Sequence, residues 1–136
     1  MACIQLTAFL AGQSAVAFKW GVADCATLAI GWADEATGGV GLAAWAGHYH
    51  DEASCAAFVA GYGGFAALAD RHLGRHNGIG RAEAQAVGNI VHCLYGGVEV
   101  MGVRSSADMV SLRSARGLVH SRMALVLNEW GVTCRK

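Results

Sequence analysis

The chain has 136 residues, of which 54% are hydrophobic and only 15% charged, with ten lysines and arginines balanced by ten carboxylates. That length is one domain's worth of polypeptide. The apolar content excludes a largely disordered chain, and the neutral balance argues against a whole-protein electrostatic grip on nucleic acid. The charge is nevertheless split: residues 1–70 carry one lysine against six carboxylates, and residues 71–136 carry nine cations against four. A basic face for an acidic partner and two complementary halves of one domain both fit that split.

Taken in chain order, the first half reads as helices. The longest charge-free stretch, Met1 to Phe18, contains Gln5, Thr7, Gln13 and Ser14, and no cation precedes Ile4. It is therefore expected as an amphipathic helix from Ile4 to Ala17, neither a membrane span nor a leader. After a break at Lys19-Trp20-Gly21, a second helix is expected from Asp24 to Thr37, with Leu28, Ala29 and Trp32 on one face and Gly38-Gly39 as its C-terminal stop. A short segment, Leu42 to Ala46, leads to His48-Tyr49-His50. Asp51 then caps a helix over Glu52 to Gly61, and Gly63-Gly64 separates it from a last helix over Phe65 to Gly74.

The second half changes character. Asn77 to Val87, rich in Gly and Ala, is the crossover. Asn89 to Tyr95 reads as a strand, Gly96-Gly97 as a tight turn and Val98 to Arg104 as the partner strand. Further strands are expected near Met109–Leu112, Gly117–Met123 and Leu125–Trp130. Helices followed by consecutive strands define an α+β fold with an antiparallel sheet, formed by a single domain over residues 1–136.

Five cysteines, at positions 3, 25, 55, 93 and 134, form no CxxC and leave one unpaired in any disulfide scheme, so free thiols are expected. Cys3, Cys55 and Cys93 lie among small or apolar residues and read as buried; Cys134 reads as exposed. Cys25 differs. Gly21 permits a turn, Asp24 caps the following helix, and Cys25 falls in its first turn, where unpaired N–H groups and the macrodipole favour a thiolate. A nucleophile and a core cysteine behind a cap both fit. His72 and His76 have an i, i+4 spacing, and His48 and His50 flank Tyr49, but neither pair has a third ligand, so no metal is expected. No phosphate-loop pattern occurs among the glycines, and nothing calls for a cofactor.

The run Phe18-Lys19-Trp20-Gly21-Val22-Ala23-Asp24-Cys25, followed by an apolar helix, resembles the nucleophile segment of the NlpC-type, papain-like cell-wall peptidases. It is closer still to a group of small phage tail proteins related to them. Tyr49 and the helix EASCAAFVAGYGG, the strand entry Val87-Gly88-Asn89-Ile90-Val91 with Asn89 where Asp is usual, Val98 to Val103, Arg116-Gly117-Leu118 and Trp130 follow in the order of that group. The resemblance implies a papain-like fold with N-terminal helices packed on a small antiparallel sheet. It also implies a tail-tip or baseplate component of the virion, assembled in the host cytoplasm, with other phage tail proteins as partners and host peptidoglycan as the substrate if the chain is active. It places the base histidine two residues before Gly102, which in this sequence is Val100. Valine cannot accept a proton, so the base, if there is one, must come from elsewhere. His120 on a later strand is the candidate, ahead of His92. Two readings follow: a cysteine peptidase or amidase using Cys25 and His120, and an inactive structural tail protein making assembly contacts.

Overall fold

The computed structural model describes residues 4–45, 47–74 and 79–132. Five helices come first: α1 (Ile4–Gln13), α2 (Cys25–Thr37), α3 (Gly41–Trp45), α4 (Glu52–Gly61) and α5 (Phe65–Leu73). Six strands follow: β1 (Gly80–Arg81), β2 (Ile90–Tyr95), β3 (Val98–Ser106), β4 (Met109–Ser114), β5 (Gly117–Ser121) and β6 (Leu125–Gly131). The strands form one fully antiparallel sheet in the order β1-β6-β2-β3-β4-β5. The α+β class read from the sequence is what the chain adopts.

Local chemistry explains most element boundaries. α2 and α4 each begin at an aspartate whose side chain accepts from the N3 amide, with the N3 hydroxyl reaching back: Asp24 with Thr27, and Asp51 with Ser54. α2 stops at Gly38, whose φ of 74° is the left-handed cap conformation. α1 is shorter than the expected Ile4 to Ala17. The Ser14 hydroxyl donates to the Ala11 carbonyl at 2.7 Å and takes the acceptor that a further helical turn would have used. The two-residue β1 was not expected, because two residues carry no periodicity. It is held at the sheet edge by Arg81, which donates to Asp70 at 2.7 Å and to Asn128 at 2.5 Å and lies over the Trp130 ring.

The helices cover one face of the sheet. α2 is the central element: Leu28, Ala29, Ile30, Trp32 and Ala33 are essentially inaccessible and pack with Leu6 of α1, Trp45, Leu68 and Leu73, and with Ile90, Met101, Val103 and Trp130 of the sheet. Each such leucine, isoleucine, valine or methionine side chain contributes about 1.5–3 kcal/mol by leaving water. Trp32 also donates through Nε1 to the Gly88 carbonyl at 2.7 Å, tying α2 to the entry of β2. The alternate residues of the strands face the other way. Val91, Cys93, Val110 and Leu112 form a second buried cluster, closed by Tyr95, Val100, Val119, Ala124 and Val126. No helix residue is among the described members of this cluster.

The base of the sheet is fastened by charge. Arg104 makes a two-point contact with Glu129, at 2.9 and 2.8 Å, with both side chains largely buried. Asn89 donates to the same carboxylate at 2.8 Å and to the Ala84 carbonyl at 3.0 Å. This accounts for the amide at a position where the resemblance leads one to expect Asp: a second carboxylate facing Glu129 would be repelled.

Candidate active site

The segment leading into α2 folds into a tight loop closed by the Lys19 and Ala23 backbones, which bond in both directions at 2.8 and 2.7 Å. Gly21 sits at its tip with φ 79°, and a Cβ there would meet the Tyr49 carbonyl oxygen at 2.2 Å. Only glycine fits, both in conformation and in space. Asp24, 1% exposed, accepts from the Gly21 amide at 2.8 Å, from the Thr27 amide at 2.9 Å and from the Tyr49 hydroxyl at 2.6 Å. Trp45 donates in turn to the Tyr49 oxygen at 2.9 Å. The aspartate read from the sequence as a cap is thus the centre of a buried network joining the loop, α2 and the segment after α3.

Cys25 follows directly and lines a cavity of about 450 Å³. Its walls include Trp20, Cys55, Val59, Phe65 and Val100, with the Asp24, Glu52 and Glu99 carboxylates as its acidic members. Val100, the position that the resemblance assigns to the base, contributes to the lining of this cavity, but it pairs with Cys93 and its side chain packs in the second cluster, on the face of the sheet away from α2. The helix start was expected to favour a thiolate, and here the structure corrects the expectation. Burial pushes the Cys25 thiol up to about 12, and the neighbouring Asp24 carboxylate and Cys55 add to the rise. The backbone N–H groups of Met101 and Ala26 act in the opposite direction without overcoming it. Cys25, itself only part-buried, is thus pushed toward the protonated thiol. Cys55, expected in the core, is only half-buried on α4 and shares the cavity; burial pushes it up to about 11. No pattern in α4 distinguished it. Cys93 is fully buried, as read; Cys3 and Cys134 lie outside the described residues.

The structure does not bring His120 to Cys25. β5 pairs with β4 and β4 with β3, so His120 stands opposite Ser111, which stands opposite Val103. Two strand spacings put it roughly 10 Å to the side of β3. His120 Nδ1 lies 2.5 Å from the Ser111 hydroxyl, and the ring lines a different cavity, beside Leu6, Leu10 and Leu118. The alternative, His92, is buried behind Phe65, and both of its ring nitrogens are engaged: Asn128 lies 3.0 Å from Nδ1 and Glu99 2.8 Å from Nε2. The remaining described histidines are elsewhere. His48 stacks on Phe58, His50 is exposed beside Asp51, and His72 is buried edge-on to Trp45. His76, the partner expected for His72, lies outside the described residues. No imidazole is among the described residues lining the Cys25 cavity. Among the described residues there is also no group of three or more His, Cys, Asp or Glu side chains able to hold a metal ion, and no single helix is long and apolar enough to cross a membrane.

Fold and site together define an α+β protein with a cysteine at the start of its central helix, set against β3 in an apolar cavity. The chain belongs to the DUF6950 family, a domain of unknown function whose family model matches residues 4–132. No curated protein and no solved structure matches the chain.

Proposed function

We propose that this protein is a papain-like, NlpC-type component of a phage tail tip or baseplate in which the Cys25 cavity binds rather than hydrolyses. The observation that carries the second half is the cavity itself: no imidazole is among the described residues that line it, and burial raises the Cys25 thiol instead of favouring a thiolate. Cysteine catalysis needs a thiolate or a base within about 2.6–3.2 Å to make one. Neither is supplied by the described residues that line the cavity. The likeness to the NlpC type is supported by the cysteine at the start of an apolar helix and by Gly102 at a close approach of strands. A Cβ at Gly102 would meet the Ser111 carbonyl at 2.7 Å.

A tail location is supported by the order of the matching segments and by apolar residues left outside the core. Val98, at the mouth of the Cys25 cavity, is 60% exposed, and Met123 and Leu125 on the β5–β6 side are 87% and 60% exposed. Exposed apolar side chains of this kind are what assembly would cover.

Two measurements test the reading. Purified peptidoglycan incubated with the protein should release no more peptide than with Cys25→Ala; release that depends on Cys25 would overturn the non-catalytic half. In co-expression with the tail proteins, Val98→Glu and Leu125→Glu should lose co-purification while Cys25→Ala retains it. Indifference of co-purification to both glutamates would overturn the assembly half.

A further inference from the structure

The two edges of the sheet are built differently. β1 is two residues long, and its Arg81 side chain is engaged by Asp70 and Asn128. β5 is five residues long, holds no Lys, Arg, Asp, Glu or Pro, and keeps an unbroken register against β4. An open edge is a template for another strand, and natural sheets blunt it with a very short strand, a charge, a proline or a bulge. β1 has the first two of these; β5 has none.

The register says which groups are open. The two-residue turn between Ser114 and Gly117 closes on a hydrogen-bonded pair, and the two kinds of pair alternate along an antiparallel ladder. Val119 and Ser121 therefore exchange hydrogen bonds with Leu112 and Val110, while the amides and carbonyls of Leu118 and His120 point away from β4. Among the described residues no backbone group outside the β4–β5 pair bonds to them.

The side chains of Leu118 and His120 lie on the helix side of the sheet and line a cavity of about 280 Å³ with Leu6 and Leu10 of α1 and Ser105. A strand laid antiparallel on β5 would set the residues opposite them on the same face, beside that cavity, with Cβ atoms about 4.5–5.5 Å apart. Main-chain bonds to an edge and a pocket for alternate side chains are the two parts of recognition by strand addition. Charge decides between occupants. Arg116, exposed at the turn, is in no ion pair among the described residues, and Arg122 at the other end pairs with Asp108. A second copy related by a two-fold axis, with Leu118 opposite His120, would set Arg116 against Arg122 of the copy, and like charges placed opposite destabilise a strand pair. An extended segment with apolar residues at alternate positions and a carboxylate two residues further on meets Arg116 with the opposite charge. We propose that β5 is a docking edge for such a segment of another protein, which adds as an antiparallel strand, sets its apolar side chains beside α1 and pairs its carboxylate with Arg116.

The probe is the peptide acetyl-Thr-Leu-Thr-Leu-Thr-Glu-amide, whose leucines would stand opposite His120 and Leu118 and whose glutamate would stand beside Arg116. Titration followed by amide chemical shifts should show saturable binding, with the largest shifts at Leu118 and His120. N-methylation of both leucines blocks the N–H groups that would face β5 and should weaken binding about tenfold or more; N-methylation of the two internal threonines, whose N–H groups would face outward, should change it by less than about threefold. Arg116→Glu should weaken it about threefold. His120→Pro removes an outward N–H and no ladder bond, so the variant should fold and lose the peptide, while His120→Ala keeps it. Absence of saturable binding, shifts centred elsewhere, equal loss from the two methylation patterns, or binding retained by a folded His120→Pro would each overturn the proposal. If His120→Pro does not fold, the methylation pair decides alone. A dimer of the isolated chain that folded His120→Pro abolishes, seen by sedimentation, would also overturn it, because the occupant would then be a second copy.

Discussion

The two flanks of the α2 N-terminus handle polar groups in opposite ways. On one side Asp24 is buried and fully engaged by the Gly21 and Thr27 amides and the Tyr49 hydroxyl, and the thiol beside it is pushed toward its protonated form. On the other side Arg113 is buried and its Nε has no acceptor among the described residues. The sequence motif draws attention to the first flank, yet there every strong polar group is spent within the fold. What the comparison teaches is that a sequence motif and an unspent interaction need not coincide.

The largest effect should come from breaking the engaged flank. Asp24→Ala removes a cap and strands the buried Gly21 amide and Tyr49 hydroxyl, which should cost about 3–5 kcal/mol in denaturant unfolding. A cost under about 1 kcal/mol would mean that the network does not organise the loop. Next in size is Val100→His: the side chain there packs in the second cluster, on the face away from α2, so a polar ring should cost about 1–3 kcal/mol in denaturant unfolding and leave Cys25 alkylation near neutral pH unchanged. A rise in alkylation would bring position 100 to the thiol.

A third prediction concerns pH. Cys25, Cys55 and Cys93 are all raised by burial, from 9.0 to about 12, 11 and 11. The folded chain therefore holds these protons more tightly than the unfolded chain. Their contribution to stability is complete below pH 9.0 and is lost as pH rises from there toward 12. Denaturant midpoints should fall between about pH 8 and about pH 10.5, and less so in Cys25→Ala. The smallest effect belongs to His120→Ala: loss of one hydrogen bond to Ser111, at most about 1 kcal/mol, with Cys25 alkylation unchanged. A change in alkylation would return His120 to the thiol's surroundings.

How much of this was legible depends on the range of the interaction. Asp24, Asp51, Gly38 and the Gly96-Gly97 turn act within a few residues, and their effects could be read directly from the sequence. Short apolar runs separated by turn residues indicated the antiparallel sheet. What could not be read were relations set by register. His120 faces α1 rather than Cys25 because β4 intervenes, and one strand of offset cannot be seen in a linear sequence. Cys55 joins Cys25 only because α4 packs across the mouth of the same cavity. Arg113 sits in a run, Ser111-Leu112-Arg113-Ser114, whose inward face became known only from its pairing with Gly117 to His120. The helix-start argument for Cys25 was sound as far as it went, but burial is a property of the whole fold and outweighed it.

The most direct test is a titration of the Cys25 thiol, following its alkylation by iodoacetamide against pH with mass spectrometry to assign the site. The account predicts a rate that climbs through the alkaline range toward a midpoint of about 12, with no plateau near neutrality. A plateau at or below neutral pH would show a stabilised thiolate and contradict the reading of this cavity as non-catalytic.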